Sequence, residues 1–354
     1  RASIMSQKLN AALLGASGYT GADLMRLGIC HPNINFTVLT ANTHAGKPVE
    51  EVFPHLGGVD LPQLQRADDI DWSALDVVFC GLPHATSQQI VSQIVQSTDK
   101  PKIIDMSADF RLRDPAQYKS WYGNEHVDPA LQDIAAYGLT EHNRDAIRTK
   151  RIIACPGCYP TATLLALLPL AKAQLINVEA LIIDAKSGVT GAGRGLKQNT
   201  LAAEAGESMS PYAVGAHRHT AELEQEIGAV SGKEIKVNFT PHLIPMSRGE
   251  LITAHVELEK GKSVNDLRAA LDSTYKGEPF VRVLNEGKMP STGMVRGSNS
   301  CVINVFEDRI PGRAVVIAAL DNLVKGSAGQ ALQNFNVAFG IEETTGLSQL
   351  PMFP

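Results

Sequence analysis

The chain has 354 residues, 44% hydrophobic and 19% charged, with a formal net charge of −5. That length gives room for two domains with separate cores, and the negative balance gives no electrostatic reason to bind nucleic acid or an anionic membrane. The apolar stretch Ala162 to Leu168 falls far short of a bilayer span. Five cysteines, an odd number without framework spacing, suit a reducing cytoplasm better than secretion. The opening Arg1-Ala-Ser-Ile-Met5 lacks a charged-then-apolar signal, and Met5 reads as the native start behind four foreign residues.

In chain order, strands are predicted at Leu9–Leu14, Asn35–Thr40, Asp76–Cys80, Lys102–Asp105 and Arg151–Ala154, with helices such as Tyr19–Cys30 and His84–Ser97 between some of them. Apolar runs separated by helices predict an α/β, Rossmann-type doubly wound parallel sheet. A helix is predicted from Pro160 to Ala173. Beyond it the pattern changes to β-rich runs at Ala180–Lys186, Ile235–Thr240, Leu251–Leu258, Cys301–Phe306 and Ala314–Leu320, with helices near His219–Val230 and Val264–Tyr275. This predicts an α+β domain with a mostly antiparallel sheet, closed by a last helix from Asn322 to about Phe339. No repeat or linker separates the halves.

Gly15-Ala-Ser17-Gly18-Tyr19-Thr20-Gly21 follows the first strand and opens the first helix. Glycines there permit a tight turn and close approach of a pyrophosphate to the backbone. The spacing is GxxGxxG, so an ordinary strand–helix turn stays open as the plainer reading. An acidic residue for a ribose 2′-hydroxyl is missing, since neither Asp nor Glu occurs between Asp23 and Glu50. Thr40, Thr43 and Lys47 offer donors and a cation at the end of the second strand, which favours a 2′-phosphate and hence NADPH. Gly81-Leu-Pro-His84 is a second place where the sheet edge can meet a cofactor.

Cys155-Pro-Gly-Cys158-Tyr-Pro-Thr161 places Cys158 at a helix N-terminus, where unpaired N–H groups and the dipole favour a thiolate nucleophile. Two other readings stand beside it: a buried core cysteine, and a CxxC redox pair with Cys155. A nucleophilic cysteine needs a proton-handling partner. His217-Arg218-His219-Thr-Ala-Glu222 supplies two histidines, and Glu222, three residues past His219, can orient that imidazole from the same helical face. A solvated histidine pair is the alternative. The loop Ser187-Gly188-Val-Thr-Gly-Ala-Gly-Arg194 can hold a nicotinamide edge or a phosphate, or be a flexible loop. Ser187 and Gly188, with Asn322 ahead of the last helix, join the candidate cofactor contacts. Arg111, Arg194 and Arg248 are candidate substrate anchors, each with a structural salt bridge as the competing reading. No metal-ligand spacing occurs, so no metal is expected.

Taken together, GASGYTG (15–21), SADFR (107–111), AAYGL (135–139), PGCYPT (156–161), SGVTGAGR (187–194), HRHTAE (217–222), FTPHLIPMSRG (239–249) and DNLVKGSAGQA (321–331) resemble the N-acetyl-γ-glutamyl-phosphate reductase family of arginine biosynthesis. The resemblance covers nearly the whole chain after Lys8. It implies Cys158 as nucleophile and a histidine of the HRH element as acid/base. It also implies a last helix packed back on the cofactor domain, so that residues 6–156 with 322–354 form the NADP-binding domain and 157–321 the catalytic and dimerisation domain. Cytoplasmic NADPH-dependent reduction of an acyl phosphate through a cysteine thioester, with release of inorganic phosphate, is the implied activity. A homodimer or homotetramer is the implied assembly. Two departures stand out: Cys155 replaces the commoner Asn or Val and raises an oxidation risk for Cys158, and Ala221 replaces a usual proline. Aspartate-semialdehyde dehydrogenase, a LysW-linked aminoadipate or glutamate reductase, and a catalytically silent NADP-binding regulator are the alternatives.

Overall fold

A computed structural model describes residues 8–68 and 70–353; the reading of Met5 as the start lies outside them. The chain divides into two compact units. The first comprises the described residues up to Pro156 together with Ser327–Ser348, the second Gly157–Gly326 with the residues from Gln349 on. Sequence analysis assigns everything from 322 on to the first unit. By contacts, residues 322–326 and the last few residues belong with the second.

The first unit is built on a seven-stranded parallel sheet: β1 (Leu9–Leu14), β2 (Ile34–Thr40), β3 (Leu64–Gln65), β4 (Val77–Cys80), β5 (Lys102–Asp105), β6 (Ala135–Tyr137) and β7 (Ile152–Ala154). Their order is β3-β2-β1-β4-β5-β7-β6. Every residue of β4 and β7 is buried, as strands covered by helices on both faces require. Strand order reverses between β1 and β4, the crevice where a parallel sheet offers its ligand site. β3 and β6 and the helices Pro115–Tyr122 and Thr140–Thr149 escape the sequence pattern, the strands because two or three residues carry no period. The Gly329–Ala338 helix is buried throughout, which is why it shows no clean amphipathic stripe. Gln330 and Asn334 on it both donate to the Gly138 carbonyl, at 2.9 and 2.8 Å. A π-helical turn over Val324–Ala328 precedes it, in place of continuous α-helix from Asn322.

The second unit carries a mixed sheet of β8 (Ile182–Gly188), β9 (Ser210–Pro211), β10 (Asn238–Ile244), β11 (Glu250–Glu257), β12 (Val281–Val283), β13 (Cys301–Glu307) and β14 (Arg313–Leu320), ordered β12-β13-β14-β11-β8-β10-β9. Only the β8–β10 and β12–β13 pairs are parallel. The Cys158–Lys172 helix is buried from Tyr159 to Ala171. Pro169 inside it has no N–H to give the Leu165 carbonyl, and Tyr275 donates its hydroxyl there instead. On β11, Glu250, Ile252, Ala254 and Val256 face inward while the alternate residues are more open. Among the described residues no helix is long and apolar enough to cross a membrane.

Candidate active site

The glycine turn in the first unit is shaped by backbone approach. Gly15 follows β1 at φ +78°, and a Cβ there would lie 2.5 Å from the Gly81 carbonyl oxygen at the end of β4. A Cβ at Gly21 would come within 2.7 Å of the Ala16 carbonyl oxygen. Both positions therefore demand glycine. Gly18 caps the Tyr19–Gly28 helix in extended conformation, with no side chain over the helix start and no acid in its first turn. Asp23, the nearest acid, is buried and bonded to Arg26 at 2.8 Å. An uncapped helix start with bare backbone around it fits a pyrophosphate.

Other candidates fall into place around that turn. Thr40 is buried and its Oγ1 accepts from the Gly15 amide at 3.2 Å, so it shapes the turn itself. Thr43 and Lys47 lie exposed in the loop after β2, Tyr19 and the half-buried Ser17 at the turn, and Thr20 accepts a hydrogen bond from Ser327. Arg111 follows β5 in the same unit. It is buried, and its guanidinium donates to the Cys155 carbonyl at 2.8 Å and the Met106 carbonyl at 3.1 Å. These two bonds tie part of the guanidinium to strand-end carbonyls.

Cys158 begins the Cys158–Lys172 helix, as the spacing predicts, with no side chain capping Gly157. Gly157 is pinched from two sides. A Cβ there would sit 2.4 Å from His219 Nε2, and its amide donates to Glu222 Oε2 at 3.1 Å. A Cβ at Gly326 would lie 2.7 Å from the Cys158 Cβ. Glycine at 157 thus lets the imidazole lie beside the residue next to the half-buried thiol, and glycine at 326 lets Cys158 seat. Glu222 is fully buried in the first turn of the His219–Ser231 helix, and the bond it makes to Gly157 fixes the backbone ahead of Cys158. The sequence reading gives it the imidazole to hold.

The two histidines are neighbours. Their rings meet edge to face at 4.7 Å, and both pack against Tyr159. The His219 amide donates to His217 Nδ1 at 3.2 Å, so neutral His217 carries its proton on Nε2. Burial, with Arg218 beside it, pushes His217 down to about 4, so it is uncharged near neutrality. Tyr212 and Phe239 complete its aromatic surround.

Cys155 directly follows β7. It is buried, Asn334 reaches its sulfur at 3.5 Å, and burial pushes its thiol up to about 12. Ser187 is also buried, at the end of β8, with Gly188 close under the Met246 and Ser247 carbonyls. Asn322 is committed within the second unit: its Oδ1 accepts from the Gly249 amide at 2.8 Å and its Nδ2 donates to Thr190 at 3.0 Å. These bonds tie Gly249 and Thr190 together. Arg248 lies 3.6 Å from the buried Asp321, and Arg194 is exposed in the loop after β8.

One acid escapes the sequence reading. Glu250 is fully buried, and neither of its carboxyl oxygens has a hydrogen-bond partner among the described residues. It stands immediately after the FTPHLIPMSRG motif. Alternation along β11 puts it on the apolar inward face, and a carboxylate in such a position is the signal that could have found it.

Comparison with known proteins places this geometry. Residues 10–150 match the semialdehyde dehydrogenase NAD binding domain and residues 158–322 the semialdehyde dehydrogenase dimerisation domain. The N-acetyl-gamma-glutamyl-phosphate reductase of Rhodospirillum rubrum is 51% identical over 99% of this chain and 100% of its own length. A probable chloroplastic N-acetyl-gamma-glutamyl-phosphate reductase of Arabidopsis thaliana is 51% identical, over 98% of this chain and 86% of its own. Among solved structures, aspartate semialdehyde dehydrogenase II of Vibrio cholerae complexed with ASA superposes with a TM-score of 0.73 at 18% identity, covering 95% of this chain and 99% of that one. The Candida albicans aspartate semialdehyde dehydrogenase with NADP gives 0.64 at 16% identity, over 94% and 98% of the two chains. At such identities these likenesses speak for the fold alone.

Proposed function

This chain belongs to the N-acetyl-γ-glutamyl-phosphate reductase family, and on that premise we propose which residues carry the family's reaction here. It is an NADPH-dependent oxidoreductase of arginine biosynthesis, reducing N-acetyl-γ-glutamyl phosphate to N-acetylglutamate 5-semialdehyde and inorganic phosphate.

Cys158 is the nucleophile. The helix start favours a negative sulfur, which attacks the γ-acyl carbon. The carbon–sulfur bond forms, the carbon–oxygen bond to phosphate breaks, and phosphate departs, leaving a thioester on Cys158. NADPH, when bound, supplies the hydride, and the fit of the bare Gly15–Gly21 turn to a pyrophosphate supports its binding there. Cys158 leaves as thiolate when the semialdehyde is released. His219 moves the proton, because its Nε2 lies against Gly157, one residue from the sulfur. Glu222 fixes the Gly157 backbone and, through it, the relation of thiol to imidazole. His217, uncharged and holding its proton on Nε2, donates a hydrogen bond to substrate or phosphate. Arg194 and Arg248 remain the anchors for substrate anions, and Thr43 and Lys47 those for the 2′-phosphate.

The observation that carries this reading is Gly157, held between His219 and Glu222 directly ahead of Cys158. NADP reduction in phosphate buffer, with N-acetylglutamate semialdehyde beside aspartate semialdehyde, tests it. A preference for the aspartyl substrate, or full turnover in Cys158→Ser, would refute it.

A homodimer is the assembly we propose. It would form through the half-exposed sheet face that carries Leu251 and Thr253 of β11 and Val315 and Ile317 of β14. A monomeric mass by light scattering would contradict this. Five free cysteines support a reducing compartment, the cytoplasm.

A further inference from the structure

Glu250 is the inward-facing first residue of β11, fixed on both sides by pairing to Ser187 of β8 and Leu320 of β14. The preceding Gly249 adopts φ +117° and is tied by Asn322, so the backbone cannot swing the side chain away. No part of Glu250 is exposed, and neither carboxyl oxygen meets a donor at strict hydrogen-bond geometry. Leu320, its partner across the ladder, and Cys158 both lie against Gly326, where a Cβ would stand 3.2 Å from Leu320 Cδ1 and 2.7 Å from the Cys158 Cβ, and Cys158 is the group that offsets the effect of burial on the Glu250 carboxyl.

The charged and titratable surroundings are otherwise acidic. Asp321 presses on Glu250 from the end of β14, and it is Asp321 that lies 3.6 Å from Arg248. Tyr159 and Tyr212 feel the Glu250 charge and are themselves pushed up, chiefly by burial. Burial, with Asp321 adding to it, raises the Glu250 carboxyl to about 8. A buried carboxylate without a cation or a full set of donors is strongly penalised, whereas a neutral carboxylic acid is a hydrogen-bond donor.

We propose that Glu250, in its protonated form, is a positioning residue that donates a hydrogen bond to the Cys158 sulfur and holds the thiolate at the angle of attack. This rests on the reading of Cys158 as nucleophile. The donor steadies negative sulfur before substrate arrives and again when sulfur leaves the product. Once the carboxyl ionises, the donor is gone and a negative charge faces the anionic acyl phosphate.

The test compares wild type, Glu250→Gln and Glu250→Leu by the pH dependence of iodoacetamide alkylation of Cys158, followed by mass spectrometry of its peptide. Gln keeps a donor of the same shape and should keep the wild-type midpoint. Leu should move the midpoint upward by roughly one unit and slow alkylation at pH 7 about tenfold. In turnover, kcat/KM of the wild type should decline as pH rises through about 8, and Glu250→Gln should lack that decline.

Wild-type alkylation in Glu250→Leu would overturn the proposal, as would Gln alkylating as slowly as Leu, which would make the carboxylate a base and not a donor. Should Leu fail to fold, the Gln midpoint and its alkaline profile still decide. Undiminished turnover in Cys158→Ser would instead defeat the nucleophile reading. Alkylation reports on Glu250 without reference to turnover, so the two failures are distinguishable.

Discussion

Gly157→Ala tests the proposed site at its tightest point. The native backbone there, φ −63° and ψ 160°, is open to any L-residue, so alanine brings no conformational strain. Its effect is the methyl alone, which would stand 2.4 Å from Nε2, 2.6 Å from Cε1 and 2.7 Å from Cδ2 of His219. Restoring ordinary van der Waals separation requires the ring to retreat by about 1 Å, and a misplacement of that size in a reacting group costs about 10²-fold in rate. His217 and Tyr159 pack against the same ring at 4.7 and 5.9 Å between centroids, so the retreat also disturbs packing, at roughly 1–3 kcal/mol of stability. Phosphate-dependent NADP reduction with N-acetylglutamate semialdehyde should show kcat down about 10²-fold, about 2.7 kcal/mol of barrier, with KM little changed. Gly293→Ala is the control, since a methyl there meets nothing closer than Ser291 Oγ at 4.0 Å. If Gly157→Ala turned over like Gly293→Ala, the position of His219 would not limit the reaction and its assignment as the proton carrier would fall.

Cys158→Ser should lose about three orders of magnitude in turnover, roughly 4 kcal/mol, while Cys155→Ala stays near wild type; equal losses in both would refute the assignment. Alkylation of the native protein should modify Cys30 and Cys158 and spare the buried Cys80, Cys155 and Cys301, so a peptide map with Cys155 labelled first would contradict its burial. NADPH should be preferred over NADH, and Asn42→Asp should erode that preference by placing a negative charge near the 2′-phosphate; equal specificity constants in the wild type would count against the Thr43–Lys47 reading. His219→Asn should depress kcat and alter its pH profile, whereas His217→Asn should chiefly raise the substrate KM; the reverse pattern would exchange their roles. Because folding lowers His217 from the ordinary 6.5 to about 4, its contribution to stability is full above pH 6.5 and is lost as pH falls toward 4. Urea midpoints at pH 7 and pH 5 should therefore differ less in His217→Asn than in the wild type.

What the sequence made legible follows from how each feature is encoded. The parallel sheet was readable because strands buried on both faces appear as unbroken apolar runs, and Gly15, Gly18 and Gly21 because a turn against backbone excludes a Cβ. Cys158 was readable because a strand followed directly by a helix fixes what lies at the helix start. β3 and β6 were not, since two or three residues set no period. The last helix was hidden by its own burial: Gln330 and Asn334 donate to the Gly138 carbonyl, far away in sequence, so polar side chains lie inside the fold. Arg111 and Asn322 show a related limit: an arginine or an asparagine near a glycine motif looks the same in sequence whether it reaches a ligand or closes a carbonyl. Glu222 shows the limit most clearly, because an i,i+3 spacing states which helical face a carboxylate shares but not that the amide of Gly157, 65 residues back, donates to it. The same holds for Glu250, whose place beside Cys158 is set by the pairing of β11 with β8 and β14. Local chemistry could name the nucleophile, but the groups that would tune it come from strand register and helix packing, and those are properties of the folded chain.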